Sequence, residues 1–347
     1  MQALTVRPGQ ADSAELVDFP EPDRDEGDVL VDAIALGVCG TDREIVAAEY
    51  GEAPPGDDRL VLGHESLGRV RDAPAGSGFE AGDLVAAFVR HPDPVPCRAC
   101  ARGEWDMCRN GEFTEHGIKG LHGFGRERWR ESAARLVKLD PSLELRGVLL
   151  EPVSVVAKAW EQIDRIAAGS GTFVEHVLVT GAGPIGLLAA MLARQRGHRV
   201  TVLDHNDKGP KRRLVEGLGG TFVVGEVGDF DDEVDVVVEA TGVTEVIVGA
   251  LTAPRAAGIA CLTGVSPTGQ KVPVDVGGVN REIVLENTFV FGSVNANRRH
   301  YAVAAEALAA ADRDWLAAMI TRRVPLDCYE EGLEHRAGDV KVVLELG

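Results

Sequence analysis

The chain has 347 residues, 45% of them hydrophobic, enough to bury a large core and more than one ordinary domain of roughly 100–200 residues needs. Its 55 acidic against 36 basic side chains leave a formal charge of −19, and only seven of the basic residues are lysines. Such a surface repels phosphate, which excludes nucleic acid and anionic membranes as partners. It reads either as adaptation to concentrated salt, a halophilic protein, or as an ordinary acidic cytosolic one.

The opening MQALTVRPGQADSAELVDFP has no basic start followed by an apolar stretch, and no segment reaches the ~20 apolar residues of a membrane span. A cytoplasmic protein is expected. Six cysteines in so long a chain do not resemble a secreted disulfide framework, and three of them cluster, which points to metal.

The first 150 residues contain β-like runs (MQALTV, VLVDAIALGV, LGRVRDA) separated by Pro, Gly, Asp and Glu, and no helix of any length is expected there. Near Pro152 the pattern changes to VSVVAKAWEQIDRI, with apolar residues at helical spacing. From Val177 to about Val265 strand and helix alternate: HVLVTG, IGLLAAMLARQRG, HRVTVLDH, KRRLVEGLG, DVVVEATG and IACLTGV. That alternation predicts a parallel, doubly wound sheet covered by helices on both faces, an α/β class domain. Beyond about residue 285, TFVFGSVNA, HYAVAAEALAAADRDWLAAMI and KVVLEL are expected to return to the first domain, which gives boundaries of 1–155, 156–285 and 286–347.

Within VLVTGAGPIGLL, Gly181, Gly183 and Gly186 have the G-x-G-x-x-G spacing, with Pro184 and Ile185 opening the helix. The first glycine makes a tight turn, the second admits the pyrophosphate to the backbone, and the third lets helix and strand pack closely. Asp204, about twenty residues on, ends the next strand, where an acid binds the adenosine ribose hydroxyls and repels a 2′-phosphate, so NAD is expected over NADP. The neighbouring His205, Lys211, Arg212 and Arg213 are either a solvated helix start or a seat for that phosphate. Thr241, Gly264 and Val265 follow later strands, where a sheet of this kind places its ligand crevice.

GVCGTD supplies Cys39, and LGHES supplies His64 and Glu65, a mixed S/N/O set that suits zinc with an open coordination position. Taken singly, these are equally packing residues. Thr41 is either a proton relay beside a zinc-bound alcohol or a turn residue capping its own backbone. Cys97-x2-Cys100-x7-Cys108 lies in a Pro- and Arg-rich loop, where it is either a structural zinc site or a loop of free thiols. Cys261 and Cys328 read as packing residues.

GVCGTD, GHES, the cysteine loop and GAGPIG, in this order, resemble the zinc-dependent medium-chain alcohol dehydrogenases over essentially the whole chain. GEFTEHGIKGLHGFGRERW, EPVSVVAKA and FGSVNAN more narrowly resemble the glucose dehydrogenases of archaea, including salt-loving ones. The resemblance implies a GroES-like, mostly-β catalytic domain beside the Rossmann domain. It implies catalytic zinc on Cys39, His64 and Glu151, with Glu65 as a ligand or a close carboxylate that exchanges with water. Asp42 would hold the ring of His64 and Thr41 would begin the relay. It further implies sugar contacts from Glu115, Glu151, Asn295 and Thr41, with Asn295 also near the nicotinamide and His122 either lining the same pocket or packing. The family's structural zinc has four cysteines. Here the first is replaced by Pro94, so Asp93 or His91 is expected as the fourth donor, or the site is degenerate.

The reaction so implied is zinc-assisted hydride transfer from C1 of an aldose, D-glucose first, giving a lactone, in a homodimer or homotetramer. The rivals are a polyol, galactose, xylose or secondary-alcohol dehydrogenase on the same scaffold and, in another class, a non-catalytic NAD-binding protein.

Overall fold

A computed structural model describes residues 1–230, 232–266 and 271–347. The chain forms two compact units, one of residues 1–154 and 295–347, the other of 155–294.

In the first unit the strand Val29–Val38 buries every second side chain through VLVDAI and then all of its last four residues. It is the spine of a seven-stranded sheet in the order Leu136–Lys138, Leu84–Ala87, Glu65–Asp72, Val29–Val38, Lys341–Glu345 and Ile320–Pro325, with Arg128–Glu131 also paired to the spine. Val31, Leu36, Trp129, Phe124 and Leu344 fill the core beneath it, each fully buried aliphatic side chain stabilising the unit by about 1.5–3 kcal/mol. Both main neighbours run antiparallel to the spine, with Gly37 opposite Glu65 and Val38 opposite Val342. The C-terminal end of the spine therefore lies against the starts of two strands, so Cys39, Glu65 and Lys341 are near one another in space although far apart in sequence. As expected, the first 150 residues hold little helix: among the described residues the α-helix there is the seven-residue Gly40–Val46.

The second unit is a six-stranded parallel sheet in the order Thr221–Val224, Arg199–Asp204, His176–Thr180, Val234–Glu239, Pro254–Leu262 and Phe289–Gly292. Strand order reverses on either side of His176–Thr180, the doubly wound arrangement whose crevice lies beyond the carboxyl ends of the strands. One boundary differs from expectation. Phe289–Gly292 does not return to the first unit but pairs parallel with Pro254–Leu262 as the sheet's sixth strand, so this unit runs to Val294 rather than 285. Four residues at a sheet edge carry no period that would assign them to one sheet or another. No helix among the described residues is long and apolar enough to cross a membrane.

Candidate active site

Cys39 follows the spine strand and occupies the N-cap position of helix Gly40–Val46. Its Sγ lies 3.1 Å from His64 Nε2, and donor atoms of Cys39, His64 and Glu65 all fall within 4.8 Å of one another. Asp42, on the first turn of that helix, accepts a hydrogen bond from the Cys39 amide at 2.9 Å through Oδ2, while Oδ1 faces His64 Nδ1 at 3.4 Å, both atoms buried. A carboxylate behind the imidazole fixes its tautomer and leaves Nε2 directed at the cluster. Burial alone would lower the His64 pKa, but Cys39 and Asp42 outweigh it and hold the imidazole well above its ordinary value.

Glu151 opens helix Leu150–Ser170, and its carboxyl is pushed up to about 7 by burial, with Glu65 adding to the rise and His64 and Lys341 opposing it. The thiol of Cys39, the imidazole of His64 and the carboxylate of Glu65 form a donor set that fits a zinc ion, and Glu151 is close enough for its carboxyl to feel the charges of His64 and Glu65. Thr41 stands partly buried in the first turn of Gly40–Val46, between Cys39 and Asp42.

The sequence did not single out Lys341. Its buried ammonium pairs with Glu65 Oε2 and donates to Val38 O at 3.1 Å. The available signal was a lysine opening the apolar strand KVVLE in a chain with few lysines.

Glu115 and Asn295 meet: Asn295 Nδ2 donates to Glu115 Oε1 at 2.7 Å. The same oxygen accepts from Arg90 Nε at 3.0 Å, and Arg90 Nη2 lies 2.9 Å away. Arg90, also missed, places its guanidinium carbon 3.6 Å from the centre of the Phe113 ring. Asn295 holds a left-handed backbone, φ 63°, a conformation costly for a residue with a Cβ and one that clusters at binding sites. His122 does not join them. Its Nδ1 accepts from the Val61 amide at 3.2 Å, its Nε2 meets Asp57 at 3.1 Å, and Phe19 packs edge-on against the ring.

Cys97, Cys100 and Cys108 present sulfurs within 4.8 Å of one another. Backbone N–H groups of Cys100 and Arg109 draw the Cys97 thiol down to about 6, whereas burial pushes Cys100 up to about 11. Neither expected fourth donor is with them. Asp93 accepts from the Val95 amide at 2.7 Å and from Asn110 Nδ2 at 2.6 Å, and His91 turns to Glu131 at 2.8 Å.

In the second unit, Gly181 has φ +88° and donates to Leu203 O at 2.7 Å. An added Cβ at Gly186 would lie 1.9 Å from Gly181 O, so helix Pro184–Gln195 packs on its strand only with glycine there. Gly183 has nothing within 4 Å of where a Cβ would stand, and it begins the helix with no side-chain cap. No close contact among the described residues demands glycine there, whereas an anion seated at an uncapped helix start does.

The buried Asp204 accepts from the Ala182 amide at 2.8 Å and from Lys211 Nζ at 2.9 Å. Burial alone would raise its pKa; the hydrogen bonds from Lys211, Ala182 and Asn206, with the Lys211 charge, together outweigh burial and lower it. His205 is exposed beside it, with Nδ1 3.2 Å from Asp204 Oδ1. Thr241 and Gly242 are held by their amides on Glu239 Oε1 at 2.7 and 3.1 Å, and Gly264 bonds to Glu239 O at 3.2 Å with the exposed Val265 following it. Gly186→Ala is therefore expected to weaken dinucleotide binding and to destabilise the chain by about 1–3 kcal/mol, the cost of overpacking. Fluorescence titration with reduced nicotinamide dinucleotide and thermal melts check it, and unchanged values in both would show that the loop has room to move.

A β unit carrying a Cys/His/Glu donor set and a separate parallel-sheet unit carrying a glycine-rich dinucleotide loop define a zinc-type medium-chain dehydrogenase. Residues 25–141 match the alcohol dehydrogenase GroES-like domain, and residues 145–346 match the family described as glucose dehydrogenase C-terminus. The chain belongs to the glucose dehydrogenase family. It is similar to glucose 1-dehydrogenase of Methanocella arvoryzae, 38% identical with all of both chains covered. It is 39% identical to that of Halobacterium salinarum over 91% of this chain and 90% of the relative. Among solved structures, the glucose dehydrogenase of Haloferax mediterranei in complex with NADP, Zn and gluconolactone has a TM-score of 0.89 and 31% identity, with 99% of each chain covered.

Proposed function

We propose that the protein is a glucose 1-dehydrogenase, oxidising D-glucose at C1 to gluconolactone with NAD(P)⁺. The observation that carries this reading is the convergence of Glu115 and Asn295 in a chain whose relatives bear that name. Arg90 and Asn295 both hold Oε1 of Glu115 and so orient its second oxygen as an acceptor for a sugar hydroxyl.

Cys39, His64 and Glu151 would hold zinc, with Glu65 as a further ligand or a nearby exchanging carboxylate. Bound there, zinc supplies Lewis acidity that lowers the pKa of the C1 hydroxyl, and the nicotinamide supplies the hydride acceptor. Asp42 keeps His64 in the tautomer that presents Nε2, and Lys341 holds Glu65. Thr41 takes the O1 proton and passes it outward. The sugar loses that proton and one hydride from C1, and the product is the lactone. The backbone from Gly181 to Gly186, with Pro184 and Ile185 at the helix start, seats the pyrophosphate, while Thr241, Gly264 and Val265 border the dinucleotide. Cys97, Cys100 and Cys108 suit a structural zinc completed by a donor other than Asp93. The same reading makes the protein a cytoplasmic, salt-adapted homodimer or homotetramer.

The test is the initial rise of reduced-nicotinamide absorbance with D-glucose and either NAD⁺ or NADP⁺, on zinc-loaded protein in high salt. A rate with glucose that is faster with NAD⁺ is expected. Asp204→Ala should lower the NAD⁺ preference about tenfold or more, because an acid that pairs with the ribose diol and repels a 2′-phosphate is gone. No rate with glucose alongside turnover of a polyol would overturn the assignment.

A further inference from the structure

We propose that His91, His116 and Glu131 form a metal site separate from the active-site donors and from the cysteine loop, taking a divalent first-row transition ion through two imidazoles and one carboxylate. They come from three strands of the first unit, Arg90–His91, Thr114–His116 and Arg128–Glu131. Their donor atoms form a tight triangle: His91 Nε2 to Glu131 Oε2 2.8 Å, His116 Nε2 to the same oxygen 2.9 Å, and the two Nε2 atoms 3.1 Å apart. Ligands about 2.0–2.1 Å from an ion and about 90–110° apart around it lie about 2.9–3.4 Å from one another. The triangle is close to one face of such a coordination shell.

Hydrogen bonding gives the second argument. His116 Nδ1 lies 2.7 Å from the carbonyl oxygen of His122, which only accepts, so Nδ1 carries a ring proton and Nε2 is the nitrogen whose lone pair a metal would take. That lone pair faces a carboxylate oxygen and a second imidazole nitrogen. Two imidazole nitrogens and one carboxylate oxygen thus converge within 2.8–3.1 Å of one another. A cation satisfies all three at once.

The surroundings hold the donors in place. Glu131 is fully buried, its Oε1 taken by the Ser132 amide at 2.6 Å, and His116 packs on Phe124 with ring centroids 4.5 Å apart. His91 also lines a surface cleft with Thr114 and Arg135, which gives an ion a way in. Neighbours in a strand point to opposite faces, so the ion would clamp the backs of the two strands whose other faces carry Arg90 and Glu115.

Cobalt(II) distinguishes this site, because the active-site donors and the cysteine loop both contain sulfur. Metal-stripped, full-length protein is dialysed at a free cobalt concentration low enough to leave isolated surface carboxylates empty, then assayed for bound metal and for its spectrum. One equivalent per chain is expected to add visible absorption without near-ultraviolet sulfur-to-cobalt charge transfer. His91→Gln and Glu131→Gln should each lose that equivalent and keep the sulfur bands. Full cobalt binding in a folded variant, or a lost equivalent that carried sulfur bands, overturns the proposal. Should neither variant fold by circular dichroism, the wild-type titration decides: if every bound cobalt shows sulfur charge transfer, the triangle is a shared-proton network and holds no metal.

Discussion

His64→Ala is expected to lower kcat/KM for glucose oxidation by about a thousandfold or more, roughly 4 kcal/mol of transition-state stabilisation, the scale of a lost Lewis acid. The ring does two things at once in this fold. Its Nε2 stands 3.1 Å from the Cys39 sulfur, and its Nδ1 faces Asp42, whose other oxygen holds the Cys39 amide. Alanine removes one zinc donor and leaves Asp42 without its imidazole, so the remaining donors lose both number and orientation. Dinucleotide affinity should stay within about twofold, because the loop at Gly181–Gly186 belongs to the other unit and mutations at sites without shared partners act independently. The measurements are steady-state kinetics, fluorescence titration with reduced dinucleotide and circular dichroism. Activity within tenfold of wild type would remove the Cys39, His64 and Glu65 cluster from the chemistry. A parallel loss of dinucleotide binding would show damage that is not local.

What the sequence made legible were features carried by neighbouring residues. The glycine loop was readable because its turn, its free N–H groups and its close helix–strand packing all lie between Gly181 and Gly186. The cysteine loop was readable for the same reason. Cys39 and the His64–Glu65 pair were readable as donors but not as neighbours, since it is strand register that brings Gly37 opposite Glu65. Lys341 is more than 270 residues from Glu65, and no local pattern announces the pair. Arg90 is likewise made relevant by its register with Glu115.

Two residues whose roles the sequence left open are occupied within the fold for a common reason. His122 and Asp93 have side chains suited to a ligand, yet each is engaged by nearby backbone and side-chain groups that only the folded chain supplies. The His91, His116 and Glu131 triangle shows the converse. No spacing in the sequence links these residues, and three short strands bring them together.

Lys341→Met is expected to destabilise the first unit by about 3–5 kcal/mol, the usual cost of stranding one member of a buried ion pair. The ammonium is nearly inaccessible to solvent, pairs with a Glu65 carboxylate that is equally enclosed, and also donates to Val38 O. Methionine fills a similar volume without a charge, so packing is roughly kept while Glu65 faces a cavity wall with no cation and a carbonyl loses its donor. The double variant Lys341→Met, Glu65→Gln removes both charges and should recover most of the loss, since a buried pair replaced as a unit is often near neutral. Urea unfolding followed by tryptophan fluorescence, with chelator present so that metal binding does not enter, measures the cycle. Three of the four tryptophans, Trp105, Trp129 and Trp315, lie in the first unit and report on it. A single variant within about 1 kcal/mol of wild type would place the pair in solvent-screened surroundings. A double variant as unstable as the single would mean that Lys341 acts through Val38 O and its own packing, leaving Glu65 to be held by the active-site donors alone.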